Sequence, residues 1–296
     1  MEDFGQPDEV QITSIAATSD KDNTHLPTIW SKLTTDHGPL APLTDQDCLM
    51  VANAANQDLL GAALLRPCGG SAANLFLSLN TAPHVSATTI LLGQRATQAA
   101  ASRGIRLIQC VPPPGQELAK LEPAGFRQLT TMLTLVWQPV DDSDCRVTAI
   151  QLQPCLRSEQ DQYATMLQET FEGACDFPEL NQFQTAREVI SEVPAAGCFW
   201  IRQHDAAIGT LLMRHAQSDN QLELVYVGIL PKLRARGWGT SAVQAALRAC
   251  YERNPAAHVV VGVDIRNEPA MRMYTCLGFV EVCARPVYGL EVPANG

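Results

Sequence analysis

The sequence is most constrained between Leu222 and Tyr274, where an apolar run passes through Arg234-Ala-Arg-Gly237-Trp-Gly239-Thr240 into a helical pattern. Leu222, Leu224 and Tyr226, with the Val and Ile residues among them, form a β-branched and aromatic stretch closed by Pro231, which reads as a buried strand. From Thr240 to Tyr251, the apolar residues Val243, Ala246, Leu247 and Cys250 recur at helical spacing with no proline inside. The unit is therefore strand, glycine-containing turn, helix. Glycines at such a turn let a ligand approach bare backbone N–H groups, and the first turn of the helix adds unpaired donors and a partial positive charge. This is a cradle for phosphate.

Gly237-Trp-Gly239-Thr-Ser-Ala242 also fits a dinucleotide fingerprint, and the next strand, His258 to Val263, ends in Asp264 as that fingerprint requires. A dinucleotide fold needs several further strand-helix units after the acidic residue, yet only 32 residues (296 minus 264) follow Asp264. Five residues, three of them basic (Lys232, Arg234, Arg236), also separate Pro231 from Gly237, where the dinucleotide turn leaves its strand almost directly. A Walker-type loop is excluded because no Gly-Lys-Ser/Thr follows.

The pattern that fits resembles the GNAT superfamily of acyl-CoA-dependent N-acetyltransferases. Its signature is Arg or Gln, two residues, Gly, one residue, then Gly or Ala, and Arg234, Gly237 and Gly239 occupy those places. The resemblance continues through the strand Val259 to Asp264, the turn Asn267-Glu-Pro-Ala270, Tyr274, and the close Leu277-Gly-Phe279. It covers Val147 to Leu290. It implies acetyl-CoA as co-substrate, no metal, and coenzyme contacts at Val227, Ile229, Arg234, Ala235, Arg236, Gly237, Trp238, Gly239, Thr240 and Asn267.

At 296 residues the chain has room for two domains of ordinary size. No apolar run reaches eighteen residues and no basic start precedes an apolar stretch, so a soluble, cytoplasmic protein without a membrane partner is expected. Ten cysteines are scattered with no C-x-x-C, as small buried hydrophobes in a reducing compartment would be. The net charge of −10 argues against nucleic acid. Against that background, Lys232, Arg234, Arg236, Arg248 and Arg253 face one acid, Glu252, and the three basic residues before Gly237 are expected to meet phosphates.

The two halves read alike. Leu60-Gly-Ala-Ala-Leu-Leu-Arg66 matches Ile208-Gly-Thr-Leu-Leu-Met-Arg214 at an offset of 148 (209 minus 61). Ala124-Gly-Phe126 matches Leu277-Gly-Phe279 at 153 (279 minus 126). The expected fold is α+β: two tandem acetyltransferase-like domains, residues 1–141 and 142–296, each a mixed, mostly antiparallel sheet flanked by helices. A linker is expected over Gln138 to Asp144. The 148 offset places Ser86, Thr89 and Leu91 where Arg234, Gly237 and Gly239 stand, and counting back from Phe126 places Leu121 where Tyr274 stands. Side chains there would block phosphate from the backbone, so the first domain is expected to be a scaffold or acceptor-site wall, and the second catalytic. This layout is similar to tandem-repeat members of the superfamily such as mycothiol synthase.

Amine acylation needs a polarised carbonyl, a proton taken from the amine and a proton given to the thiolate. The resemblance places a carbonyl-polarising backbone N–H at a strand bulge near Val227 to Ile229, with Gly228 permitting the bulge, and makes Tyr274 the acid. Tyr274 otherwise reads as a core aromatic. Glu223, 11 residues before Arg234 (234 minus 223), is the candidate base, or an edge-facing carboxylate. Asn267 reads as the cap of a helix starting at Glu268. Asp176 and Glu179 read as solvent-facing loop acids or as binders of a cationic acceptor. Function is expected to be acetyl transfer to a small-molecule or peptide primary amine; the alternative is a CoA-binding regulatory or interaction protein without turnover.

Overall fold

The structure, a computed structural model, describes residues 10–15, 26–37, 40–56, 58–79, 85–113, 119–138, 150–191, 193–215 and 220–293. The expected linker at 138–144 lies outside them apart from Gln138, as does Cys145. The remaining nine cysteines are free thiols.

The chain forms two compact units, residues 1–129 with 285–296, and residues 130–284. In the first unit, β1 (Gln11–Ile15), α1 (Leu26–His37), β2 (Cys48–Asn53), β3 (Leu59–Gly69), β4 (Ala72–Leu79), α2 (Val85–Ala101) and β5 (Leu107–Cys110) follow in order. The strands lie β1-β2-β3-β4-β5, antiparallel except for the parallel pair β4 and β5. Residues 288–291 of the last strand of the chain then pair with β5. One face is covered by α2 through Leu92, Ala96 and Ala100, the other by α1 through Ile29 and Leu33.

The second unit repeats this plan. It holds β6 (Arg127–Trp137), β7 (Ile150–Pro154), α3 (Gln160–Phe171), α4 (Pro178–Asn181), α5 (Ala186–Ser191), β8 (Cys198–Gln203), β9 (Ala206–His215), β10 (Gln221–Ile229), α6 (Trp238–Arg253), β11 (His258–Asp264), α7 (Glu268–Cys276) and the start of β12 (Val280–Glu291). The order is β7-β8-β9-β10-β11-β6, again antiparallel except for β10 and β11. The parallel pair follows from the crossover helix α6, since two parallel neighbours need a long connection. Ala242, Val243, Ala246 and Leu247 form the buried stripe of α6 on one face of this sheet. Tyr163, Leu167 and Phe171 of α3 cover the other.

The compact units cut the chain differently from the boundary expected at 141/142. The strand that follows β5 in sequence, β6, pairs with β11 through residues 132–137, and the strand after α7 ends by pairing with β5. Each unit is thus completed by the last strand of the other half. Local patterning carries no information about which open edge a strand satisfies.

Candidate active site

The site begins where two strands part. β10 and β11 pair only through residues 221–223 and 258–260, although β10 runs on to Ile229 and β11 to Asp264. The pairing of β10 with β9 shifts register between Leu224 and Tyr226, which makes Val225 the bulged residue. A bulge bends its strand and increases local twist. The result is a wedge between residues 225–229 and 261–263, and its residues line part of a cleft of about 570 Å³.

The bulge was expected nearer Val227 to Ile229, with Gly228 as its cause. Gly228 has another reason: a Cβ there would lie 2.5 Å from the Thr170 hydroxyl and 2.6 Å from the Tyr226 ring. Its lack of a side chain lets the end of α3 pack onto β10. Leu230 donates its N–H to the Ile208 carbonyl on the β9 side. Strand N–H groups alternate in direction, so those of Val227 and Ile229 point away from β9, into the wedge. Both residues line the cleft.

At the wide end of the wedge stands the first turn of α6. Ser241 N–H to Gly237 carbonyl, 3.0 Å, begins the helical ladder. The N–H groups of Trp238, Gly239 and Thr240 therefore precede it, as donors open to a ligand. Gly237, at φ +79°, is the N-cap, and a Cβ on it would meet nothing within 4 Å. Ala235 also has positive φ, +59°. The turn is thus wound so that backbone, not side chain, lines the approach, and Arg234, Ala235, Gly237, Trp238, Gly239 and Thr240 all border the cleft.

The Arg234 side chain corrects the sequence reading. Its guanidinium donates to the carbonyls of Ile229 (3.0 Å), Glu172 (2.8 Å) and Thr170 (2.8 Å) instead of lying open to phosphate. It caps the C-terminus of α3 and ties it to the end of β10, a stabilising place for a cation. Arg236 is exposed, makes one long contact to the Lys232 carbonyl at 3.5 Å, and does not line the cleft.

Tyr274 borders the cleft from α7 and is 4% exposed. Asn267 is the N-cap, accepting from the Ala270 N–H at 3.2 Å, with Pro269 in the first turn. The helix ends at Gly278, φ +85°, where Phe279 N–H bonds to the Tyr274 carbonyl and Gly278 N–H to that of Thr275. This is a Schellman stop, and the Phe279 ring packs 5.1 Å from that of Tyr274. The Gly-Phe pair thus fixes the tyrosine's place. No described group bonds to the Tyr274 hydroxyl. Burial, then the negative charge of Asp176 and the neighbouring Tyr226, push its pKa well up. It stays a protonated phenol across the working pH range.

Glu223 stands elsewhere. Its carboxylate accepts from Arg214 Nε at 2.7 Å across the β9–β10 ladder, and it does not line the cleft. The carboxylate that does line it is Asp176, on the loop after α3. Asp176 Oδ1 accepts from the Asp264 N–H at 2.9 Å and from Asn267 at 3.4 Å. Burial is the main cause that raises its pKa. Behind it, Asp264 is 0% exposed, bonded to Thr130 and Arg266. Burial alone would raise the Asp264 pKa, but Arg266 and Thr130 hold it below the usual carboxylate range.

Sequence reasoning passed over Tyr226 and Thr170, which also line the cleft. The Tyr226 hydroxyl meets Thr170 Oγ1 at 3.0 Å and donates to the Thr170 carbonyl at 3.1 Å. Burial pushes its pKa up to about 12. Strand alternation alone places Tyr226 on the face of Leu222 and Leu224, toward α6; the bulge at Val225 turns it to the α3 side, and that bulge leaves no local signal. In the first unit Leu121, at the place of Tyr274, is fully buried; Thr89, also buried, is the fifth residue of α2, whereas Gly237 directly precedes α6, and the residue that directly precedes α2 lies outside the described residues. Gly93 packs against Ala124, where a Cβ would come within 2.9 Å of the alanine Cβ.

Among the described residues no cluster of His, Cys, Asp and Glu has the makings of a metal site, and no helix is long and apolar enough to cross a membrane.

Residues 161–279 match the profile of the acetyltransferase (GNAT) family, which covers the whole cleft but less than half of the chain. Over 59 residues the chain is 37% identical to an N-alpha-acetyltransferase of Sulfurisphaera tokodaii, a match to 20% of this chain and 35% of that protein's length. The fold as a whole is similar to a GCN5-related N-acetyltransferase of Sphaerobacter thermophilus (TM-score 0.66, 14% identity, 97% of this chain and 98% of that one). It is also similar to a tandem GNAT protein from the clavulanic acid biosynthesis pathway (TM-score 0.61, 15% identity, 97% and 100%). At these identities the likeness is one of fold, and it extends over both units.

Proposed function

We propose, from the premise that residues 161–279 are a GNAT acetyltransferase domain, that the protein moves an acetyl group from acetyl-CoA directly to a primary amine in the cleft of the second unit. The observation that carries this reading is the parting of β10 from β11 in line with the open first turn of α6. A ligand with phosphates at one end and peptide-like amides at the other has its phosphates at the helix N-terminus and its amides between two strand edges. Acetyl-CoA has that form.

The thioester then lies near the N–H groups of Val227 and Ile229. One such donor, aimed at the developing oxyanion in a water-poor cleft, contributes about 3 kcal/mol to the transition state. Tyr274 gives its proton to the departing sulfur. Only the second unit is active in this reading, because Leu121, fully buried, stands in the first unit where Tyr274 borders the cleft of the second. The first unit acts as scaffold or acceptor-site wall.

Two measurements test the proposal. Titration calorimetry with acetyl-CoA is expected to give one site per chain, and two equivalent sites would remove the asymmetry between units. A panel of primary amines, followed by release of CoA thiol, is expected to yield stoichiometric acetyl-amine. Acetyl-CoA binding with no thiol release from any amine would instead mark a CoA-binding regulatory module.

A further inference from the structure

The cleft contains a carboxylate that its surroundings fix in place yet leave without a counter-ion. Asp176 lies on the loop between α3 and α4, and that loop is pinned to the end of β11. Asp264 N–H donates to Asp176 Oδ1, Phe177 N–H donates to Asp264 Oδ2 at 3.3 Å, and Asn181 donates to the Asp176 carbonyl at 2.8 Å. Phe177 is held at φ +42°, a conformation that an L side chain adopts only when its surroundings impose it. Asp176 Oδ1 is thus engaged from two sides, by Asp264 N–H and Asn267. Oδ2 has no hydrogen-bond partner among the described residues, and Asp176 borders the cleft.

The nearby cation is already committed. Arg266 makes a two-pronged pair with Glu179, at 2.7 and 2.8 Å, and a second pair with Asp264 at 2.6 Å. Two carboxylates consume one guanidinium, and the third, Asp176, faces the cleft with the phenols of Tyr226 and Tyr274 near it. Burying a charge this way is costly unless a partner arrives. The partner has to be cationic, small enough for the wedge, and able to donate a hydrogen bond to Oδ2.

Building on the acetyl-transfer reading, we propose that Asp176 binds the ammonium form of the acceptor and takes its proton, so that the substrates are strongly basic aliphatic amines. In the step, one N–H proton passes from the ammonium to Asp176 Oδ2, which frees the nitrogen lone pair. That nitrogen forms a bond to the acetyl carbon, and the carbon–sulfur bond breaks. The sulfur takes the Tyr274 proton, the nitrogen's second proton restores the phenol, and Asp176 returns its proton to water. The sum is ammonium plus thioester giving amide, thiol and one proton. The raised pKa of Asp176 suits the role, because a carboxylate held out of water is a stronger base. Glu223 is replaced as base, since Arg214 already neutralises it.

Cyclohexylamine and aniline test this as a matched pair, since they have similar ring size and only the first is a cation at neutral pH. With the CoA complex of the wild-type protein, cyclohexylammonium is expected to raise the melting temperature and aniline is not. Asp176→Asn, which retains an oxygen for the Asp264 N–H, should abolish that rise while leaving acetyl-CoA affinity within about twofold, as expected of a residue that meets only the acceptor. Its kcat/KM with cyclohexylamine is expected to fall about 100-fold or more, and with aniline by less than about fivefold. Asp176→Glu should restore part of the cyclohexylamine rate. Equal losses with both amines, or an ammonium-induced rise that survives in Asp176→Asn, would overturn the inference. Failure of the wild-type protein to bind acetyl-CoA would overturn the acetyl-transfer reading instead; the ammonium-induced rise, repeated without CoA, still reports on Asp176.

Discussion

Tyr274 and Glu223 both read from sequence as members of a catalytic pair, and tertiary structure separates them. Tyr274 is packed on Phe279 with its hydroxyl free for a ligand, so Tyr274→Phe removes one oxygen and little packing. Turnover is expected to fall about tenfold to ten-thousand-fold with acetyl-CoA affinity nearly unchanged. A variant with wild-type turnover would remove the proposed acid. Because the phenol stays protonated, loss of activity at high pH from Tyr274 ionisation is not expected below pH 10. Glu223→Gln should lose part of a half-exposed ion pair with Arg214, worth about 1 kcal/mol or less, and leave per-molecule turnover unchanged. Asp176 gives a stability signature of the opposite kind. Its folded pKa lies above its unfolded one, so the folded state binds the extra proton, and this group's contribution falls as pH rises through that window. The melting temperature of Asp176→Asn relative to wild type is therefore expected to increase from acid to neutral pH.

At the scale of elements, the cleft depends on how α3, β10 and α6 are joined. Arg234 links the end of α3 to the end of β10 through three carbonyls, so its loss should loosen the cleft before any ligand is present. Arg234→Ala is expected to cost about 1.5–3 kcal/mol of stability, the range for hydrogen bonds to a charged group, and Arg234→Lys to recover only part of it. Chemical denaturation measures this directly, and an unchanged midpoint would show that the clamp is ornamental. Gly239 separates binding from folding. A Cβ there would sit 3.6 Å from Met273 Sδ and 3.9 Å from Ile229, ordinary contact distances, so the fold accepts a side chain. Gly239→Val nevertheless fills the approach to the N–H groups of α6. Acetyl-CoA affinity should fall by about tenfold or more, more than a 1.4 kcal/mol loss, at an almost unchanged melting temperature. Thr89→Val in the first unit should leave acetyl-CoA affinity nearly unchanged.

At the scale of the whole molecule, the exchange of closing strands decides what can be cut apart. A fragment of residues 142–296 lacks β6, the partner of β11 through residues 259–264. A fragment of residues 1–141 lacks residues 288–291, the partner of β5. Each exposes an apolar strand edge, a template for aggregation. Separately expressed, both fragments are expected to be insoluble or poorly folded; expressed together, they should recover a folded complex with one acetyl-CoA site. A stable, acetyl-CoA-binding fragment of residues 142–296 would contradict this.

The sequence by itself determined the strand-turn-helix at Arg234 to Thr240, the helix from Glu268 capped by Asn267, the Tyr274 and Gly-Phe close, and the repeated order of elements. These are local: each rests on residues within a turn or two of one another, whose spacing is fixed by backbone geometry. Val227, Ile229, Gly237, Trp238, Gly239, Thr240 and Tyr274 line one cleft because one strand and two helices bring them there. Tertiary structure alone decided that the bulge falls at Val225, that Arg234 turns inward to carbonyls, and that β6 and β12 close each other's sheets. It also decided which carboxylate faces the cleft. Glu223 and Asp176 are both acids beside apolar stretches, and their fates differ only through partners distant in sequence: Arg214 across a strand ladder for one, and Arg266, already claimed by Asp264 and Glu179, for the other. A charge's environment is set by what packs against it in space, and that is settled only when the sheet has formed.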